Sequence, residues 1–370
     1  MRTFNKLFPA IRRRNIKRLL PIGLIWLLSG WVFLAVELAA YHSLNSLPET
    51  AIKMDFQLFI WSSLFMVVVG LLTGFIELRY LQQMFVSQNF LTRLFYKMLA
   101  YLLLFAIIMA ITFPIAASLE LNTSILDPRV WNKFKHYFTS LTLLSTTLQL
   151  STALLVSLFY FEISEFIGFG VLRNFFTGKY HQAIEEERIF MFLDMKSSTT
   201  IAEQLGHVAY FKLLRAYYDS FTAAIIQYEG AIYQYVGDEI VLSWKAQGHQ
   251  KNQRCIDCFF ALKSALSQNA PFFQTQFGLV PSFKAGIHLG KVTAGEIGVI
   301  KKDILFSGDV LNASARIQSL CNSYGVDLII SEDLKRQLPL MSLFKFDFLG
   351  KSLLKGKEEK KSLYTVKQAE

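Results

Sequence analysis

Four long apolar stretches dominate the first half of the chain, at about Leu19–Tyr41, Phe56–Leu78, Met98–Leu119 and Thr139–Glu162. Each can carry a helix through the hydrocarbon core of a bilayer, which takes roughly 20 residues. The fourth is rich in Ser and Thr, but Leu and Val keep it apolar, and the hydroxyls can bond back along a helix. After Arg188 the pattern changes to short strand-like runs alternating with amphipathic, helix-like blocks, as in α/β and α+β domains. The expected organisation is a basic arm at 1–18, an all-α four-helix transmembrane bundle at 19–162, a connector at 163–187 and an α+β domain at 188–370.

Composition agrees with a bilayer partner: 53% hydrophobic and 18% charged residues exclude a purely soluble or disordered chain. The formal charge of +10 raises the question of nucleic acid, and the placement of the charges answers it. Seven basic residues precede Leu19 (Arg2, Lys6, Arg12, Arg13, Arg14, Lys17, Arg18), and an apolar span follows at once. That is a juxtamembrane arm, so no nucleic-acid partner is expected. No small-residue cleavage site closes the first span, which argues against a signal peptide. Lys/Arg in the arm, in the second loop (Arg79, Arg93, Lys97) and after the fourth span (Arg173, Lys179) places these segments inside, with Arg129, Lys133 and Lys135 of the third loop dissenting. The expectation is an integral protein of the plasma (inner) membrane with both its N-terminus and its C-terminal domain in the cytoplasm. No Asp, Lys or Arg falls within the four stretches, and their only acids, Glu37, Glu77 and Glu162, lie towards the ends. The membrane half therefore reads as an anchor or sensor rather than a transporter.

Three cysteines, Cys255, Cys258 and Cys321, are an odd count and no disulfide framework. Cys255 and Cys258 lack a second pair to complete a zinc site, and helical spacing puts both on the buried or half-buried side of an amphipathic helix. In the connector, Gly168, Gly170 and Gly178 make one unbroken helix improbable.

The soluble half carries the candidate chemistry. Arg188–Asp194 is a Phe-rich strand that ends at an acid, and Ser197, Ser198 and Thr199 follow at a helix start. A carboxylate beside helix N–H groups suits a hard cation and phosphates, although a helix cap would look the same. Ala231–Val236 and Glu239–Trp244 read as a hairpin that displays Asp238 at its Gly237–Asp238 turn. Two aspartates at loop ends of one sheet could bind the two metals of a phosphoryl or nucleotidyl transfer. Phe283–Gly298 reads as a second hairpin-like block with glycines at turns or close approaches, and His288 within it as a packed strand histidine. In a helix starting near Gly308, Asn312 and Arg316 fall on one face, an amide and a guanidinium suited to a sugar oxygen and a phosphate oxygen.

In this order, Phe192–Thr200, Tyr235–Glu239, Gly286–Gly295, Gly308–Arg316 and Leu354–Lys357 resemble the motifs of the class III nucleotidyl cyclase catalytic domain, over about half the chain. The resemblance implies a ferredoxin-like α+β fold acting as a homodimer, with active sites shared between the chains. It implies that Asp194, Asp238 and the backbone carbonyl of Met195 hold two Mg²⁺ or Mn²⁺ ions, that Asn312 orients the ribose, and that Arg316 stabilises charge on the α-phosphate. Lys355, rather than Lys357, would bind the terminal phosphates. The substrate is then a nucleoside triphosphate and the product a cyclic nucleotide. The base-reading positions depart from the pattern. Gln234 stands where adenylate cyclases carry Lys and guanylate cyclases Glu, and Leu305 stands where Asp or Thr, or a small Cys or Ser, is usual. Gln can pair with either purine, while Leu305 offers only apolar contact. The loss of the guanine-reading glutamate favours ATP, and thus an adenylate cyclase. A guanylate or mixed cyclase is the alternative, and a silent cyclase-like nucleotide-binding module is the alternative of another class.

Overall fold

The computed structural model describes residues 9–44, 56–81, 84, 88–121, 123–339, 344–353 and 360–368. The chain divides into two compact units, one of Asn15–Phe169 and another holding Gly170–Glu370.

In the first unit, α1 (Pro9–Leu44), α2 (Phe56–Ile76), α3 (Phe90–Glu120) and α5 (Leu141–Ile167) are the long helices, and the short α4 (Pro128–Phe138) precedes α5. Four segments are long and apolar enough to cross a membrane: Arg14–Ala39, Phe59–Leu81, Phe90–Ile115 and Leu143–Ile167. Their shared core is Ile22, Trp26, Tyr101, Leu154, Leu158 and Phe161, with Trp26 Nε1 donating to Ser157 Oγ at 3.1 Å. Gly70 makes room for that ring: a Cβ there would lie 2.8 Å from Trp26. The dissenting Arg129, Lys133 and Lys135 belong to α4, an amphipathic helix capped by Asp127.

The third span starts earlier than the apolar run suggests. α3 begins at Phe90 and so carries Arg93 and Lys97 into the bundle. Lys97 is buried and pairs with Glu77 and, at 3.0 Å, with Glu162, while Arg93 also pairs with Glu162. Tyr101 donates to the Thr73 carbonyl at 2.9 Å and lies 3.3 Å from Glu77. The expectation that the spans hold no basic residue is thus corrected: charges that satisfy one another can sit in a helix that hydropathy alone would start later. Glu77 opens a turn of π-helix, Glu77–Leu81, that ends the second span.

Gly168 at φ 96° ends α5 at the close of the first unit, and α6 (Phe169–Thr177) follows, so the expected break in the connector is present. Strand β1 (Ile184–Met195) begins before Arg188, because Glu186 is buried as an ion pair with Arg188 at 2.7 Å rather than solvated in a linker. The other strands are β2 (Ala231–Val236), β3 (Glu239–Lys245), β4 (Phe283–Ile297), β5 (Asp303–Ser307), β6 (Leu328–Ser331), β7 (Phe344–Leu353) and β8 (Lys360–Gln368). They form one sheet in the order β2-β3-β1-β4-β6-β8-β7, with β5 on β4 and only β4–β6 parallel.

Alternation along the strands gives the sheet two faces. Ile189, Met191 and Leu193 of β1, Ile240 and Leu242 of β3 and Ala285 and Ile287 of β4 form the main core. Against them pack α8 (His207–Gln227), through Leu213, Tyr217 and Phe221, α9 (Arg254–Gln268), through Cys255, Phe259 and Leu262, and α10 (Ala270–Phe277), through Phe273. The three cysteines are free and buried, and burial pushes their thiols up. On the opposite face, Phe190, Phe192, Val241 and Val292 meet Val310 of α11 (Asp309–Ser319).

The segment Phe283–Ile297 is one continuous strand, not a hairpin, and the chain reverses only after Gly298 (φ 98°) to enter β5. Its glycines serve packing instead. A Cβ on Gly286 would lie 2.2 Å from the Gln318 nitrogen, and one on Gly290 2.6 Å from Val310, so both let α11 lie flush on the sheet.

Candidate active site

β1 delivers Asp194 to the edge of the core, and Met195 behind it is buried. Ser197 then turns the chain in the left-handed region (φ 55°), and α7 (Ser198–Leu205) begins with Ser198 half-buried and Ser197 and Thr199 exposed. Lys196 anchors this turn through Asp327, which also accepts from Lys263 at 2.6 Å. Burial raises the Asp327 carboxyl, but the two lysines outweigh it and hold the group below the ordinary range.

Asp238 sits in the two-residue turn between β2 and β3, after Gly237 at φ 61°, whose carbonyl accepts from Tyr218 of α8 at 2.9 Å. Asp194 lies directly across from Glu239, so the strand ends bring Asp194 and Asp238 together at the same edge of the sheet. Burial and then the Asp238 carboxylate push the Asp194 carboxyl above its ordinary range, with Lys284 opposing. Glu239 is raised too, by burial and by the same aspartates. Two groups outside the expected set hold Asp194: Gln318 of α11 donates to its Oδ2 at 3.0 Å, and Lys284 lies 3.4 Å from the same oxygen. No motif singles out either residue. Lys284 follows only from the strand register, and Gln318 only from the docking of α11 on β4.

Acids pressed together in a half-buried site fit a cation, which removes their repulsion. Among the described residues no three His, Cys, Asp or Glu side chains form a metal cage. Two carboxylates completed by backbone, water and phosphate oxygens are the donor set Mg²⁺ commonly takes.

Asn312 and Arg316 share the outer face of α11: Asn312 is exposed and Arg316 half-buried, whereas Val310, Ala313, Ser314, Ile317 and Gln318 are buried. Among the described residues no ion pair joins Arg316 to either aspartate. One chain therefore assembles the acids and turns the amide and guanidinium outward.

Gln234 and Leu305 are both exposed, and their neighbours make the contact between the strands: Tyr233 and Phe306 pack with centroids 5.1 Å apart. The register shift in β2 between Ile232 and Gln234 falls at this point. Lys355 and Lys357 lie outside the described residues. His288 is buried and shares a hydrogen bond with Ser331 Oγ at 2.7 Å, the role of a packed strand histidine.

Comparison with known proteins matches residues 180–368 to the adenylate and guanylate cyclase catalytic domain. Adenylate cyclase 2 of Rhizobium meliloti is 31% identical over 209 residues, 56% of this chain and 58% of that protein. An adenylate cyclase of Anabaena cylindrica is 30% identical over 184 residues, covering 48% of this chain and 36% of its own. The chain thus spans less than two thirds of the length of these relatives. Among solved structures, the adenylyl cyclase CyaB from P. aeruginosa is 20% identical with a TM-score of 0.46, covering 51% of this chain and 97% of that one. The family match takes in β1 to β8 and all of the paired acids, α11 and the strands that support them, and by it the chain belongs to the adenylate and guanylate cyclase family.

Proposed function

We propose that the chain is a membrane-bound adenylate cyclase that converts ATP to 3′,5′-cyclic AMP and pyrophosphate for intracellular signalling. The observation that carries this reading is the split constellation: Asp194 and Asp238 converge within one chain, while Asn312 and Arg316 face outward on a helix rigidly docked beside them. A homodimer joins the two halves, each site taking its acids from one protomer and its amide and guanidinium from the partner. The relatives named adenylate cyclase support ATP as substrate.

Asp194, Asp238 and the Met195 carbonyl would hold two Mg²⁺ or Mn²⁺ ions, whose charge would lower the pKa of the ribose 3′-hydroxyl and offset that of the leaving pyrophosphate. Asn312 orients the ribose so that its 3′-oxygen stands in line with the α-phosphorus. As the O3′–P bond forms and the bond from α-phosphorus to the bridging oxygen breaks, Arg316 stabilises charge on the α-phosphoryl oxygens. The hydroxyl proton leaves to solvent. The N-terminus of α7, with Ser197, Ser198 and Thr199, offers N–H groups to the phosphates, and Lys355 binds the terminal ones. The four apolar helices anchor the chain in the inner membrane, with N-terminus and catalytic unit in the cytoplasm.

The test is product analysis by mass spectrometry of membranes carrying the full chain, given equimolar ATP, GTP, CTP and UTP with Mn²⁺, beside an Asp238→Ala control. Cyclic AMP from the unaltered chain alone is the expected result. Another cyclic nucleotide overturns the substrate, and no product leaves a silent nucleotide-binding module as the better reading.

A further inference from the structure

α11 has two working faces. Its outer face carries Asn312 and Arg316, and its inner face carries Gln318, whose amide holds Asp194 Oδ2 at 3.0 Å. Gln318 is buried, and its own backbone rests on Gly286, where a Cβ would come within 2.2 Å of its nitrogen and 2.6 Å of its Cα. Asp194 stands opposite Lys284 in the β1–β4 register, and Phe192 opposite Gly286, so helix, glycine and carboxylate sit on one stretch of the same sheet face. A helix seated this closely on backbone has little freedom to slide, and a hydrogen bond from it to a metal carboxylate fixes the carboxylate and the helix together.

We propose that Gln318 is a positioning residue that ties the metal carboxylate Asp194 of one active site to the helix whose Asn312 and Arg316 complete the other, so that the two sites of the dimer are mechanically coupled. The inference rests on the shared-site reading above. The amide holds Oδ2, which Lys284 also approaches at 3.4 Å, and so fixes the orientation of the Asp194 carboxylate beside Asp238. Displacing Asp194 in one site moves α11, and with it the groups that serve the other.

The experiment uses full-length chains in nanodiscs as mixed dimers of an Asp238→Ala chain and an Arg316→Ala chain. Such a dimer has one intact site, with acids from the Arg316→Ala chain and Asn312 and Arg316 from its partner. Recovery of turnover in the mixed dimer tests shared sites alone, and failure to recover overturns that reading before Gln318 is altered. Gln318→Leu is then placed on either chain, with Gln318→Met as the second variant should Leu impair folding. On the Arg316→Ala chain it should weaken Mn²⁺ binding, read by electron paramagnetic resonance, by about tenfold, the lower end of what loss of a ligand's hydrogen-bond partner does. On the Asp238→Ala chain it should leave Mn²⁺ affinity unchanged and lower kcat, whereas the Mn²⁺-induced protection of amides 309–319 in hydrogen exchange, which arises in the Arg316→Ala chain that holds the metal, should be abolished only in the first arrangement. Unchanged Mn²⁺ affinity in the first arrangement, or the same loss of kcat and thermal stability in both, overturns the proposal.

Discussion

Gly286 lies beneath Gln318 so closely that a methyl group on it would come 2.2 Å from the Gln318 nitrogen and 2.7 Å from the Ser314 carbonyl oxygen. Both contacts are backbone, and Ser314 is itself fully buried with its hydroxyl donated to Val310, so no flexible side chain can swing aside. The glycine is there for the helix it lets in.

Gly286→Ala should therefore lower the thermal midpoint, by the roughly 1–3 kcal/mol typical of overpacked cores and towards its upper end, and should remove turnover by lifting α11 off the sheet. Gly170→Ala is the matched control: a Cβ there meets nothing within 4 Å, and in α6 alanine is the better helix former by about 1 kcal/mol. Differential scanning fluorimetry on both variants checks this. A midpoint for Gly286→Ala equal to that of the unaltered chain would show that the helix tolerates a shift.

The carboxyl of Asp194 is held up by burial and by Asp238, so the folded protein binds a proton there that the unfolded chain has lost. Between the ordinary carboxylate value of 3.8 and the raised one, this group's contribution makes the metal-free fold less stable as pH rises. Asp327, held low by Lys196 and Lys263, contributes in the opposite sense, its stabilisation being lost as pH falls. Comparison with Asp194→Asn separates the two. In chelator, the midpoint of the variant minus that of the unaltered chain should grow from acid to neutral pH, and added Mn²⁺ should cancel the difference for the unaltered chain alone. A pH-independent difference would refute repulsion between the two acids.

Lys97 in the membrane unit is buried between Glu77 and Glu162. Lys97→Met leaves Glu77 without its cation, while Glu162 keeps Arg93, and removing one partner of a buried pair typically costs about 3–5 kcal/mol. The double variant Lys97→Met/Glu77→Gln removes a charge of each sign and should regain much of that loss. Thermal unfolding in detergent decides the matter, and a double variant no more stable than the single one would mean that the cluster is not balanced as the structure shows.

The part of this architecture that was legible in the sequence is the part fixed by local pattern. Four apolar runs gave four helices, and the Gly237–Asp238 turn placed an acid at the tip of a hairpin. What depends on a second element could not be read locally. The glycines of β4 look like turn formers until α11 is laid across them, and Glu186 looks like linker charge until Arg188 and Tyr180 close around it. Arg93 and Lys97 look like loop residues because hydropathy weighs each charge alone, whereas the bundle balances them against Glu77 and Glu162. Lys284 and Gln318 escaped for the same reason, since their partner Asp194 is 90 and 124 positions away.

Base selection offers the most direct chemical test. Leu305 lies exposed on β5 and Gln234 exposed on β2, so neither is committed to the core, and each can be replaced with little cost in packing. On the proposed assignment Leu305 would leave a polar base edge without a partner, at a cost of about 1–3 kcal/mol for each unpaired group. Leu305→Asp supplies an acceptor for the adenine amino group, as does the residue at this position in the adenylate cyclases that the chain resembles. It should raise kcat/KM for ATP over GTP by about tenfold, the equivalent of 1.4 kcal/mol. Gln234→Glu should act in the opposite sense, because a carboxylate accepts from guanine N–H groups and repels the acceptor nitrogen of adenine. Competition assays with both nucleotides present measure the ratio without reference to total activity. If neither substitution moves it, base recognition lies elsewhere, and the Tyr233–Phe306 contact between these two strands would be the next place to look.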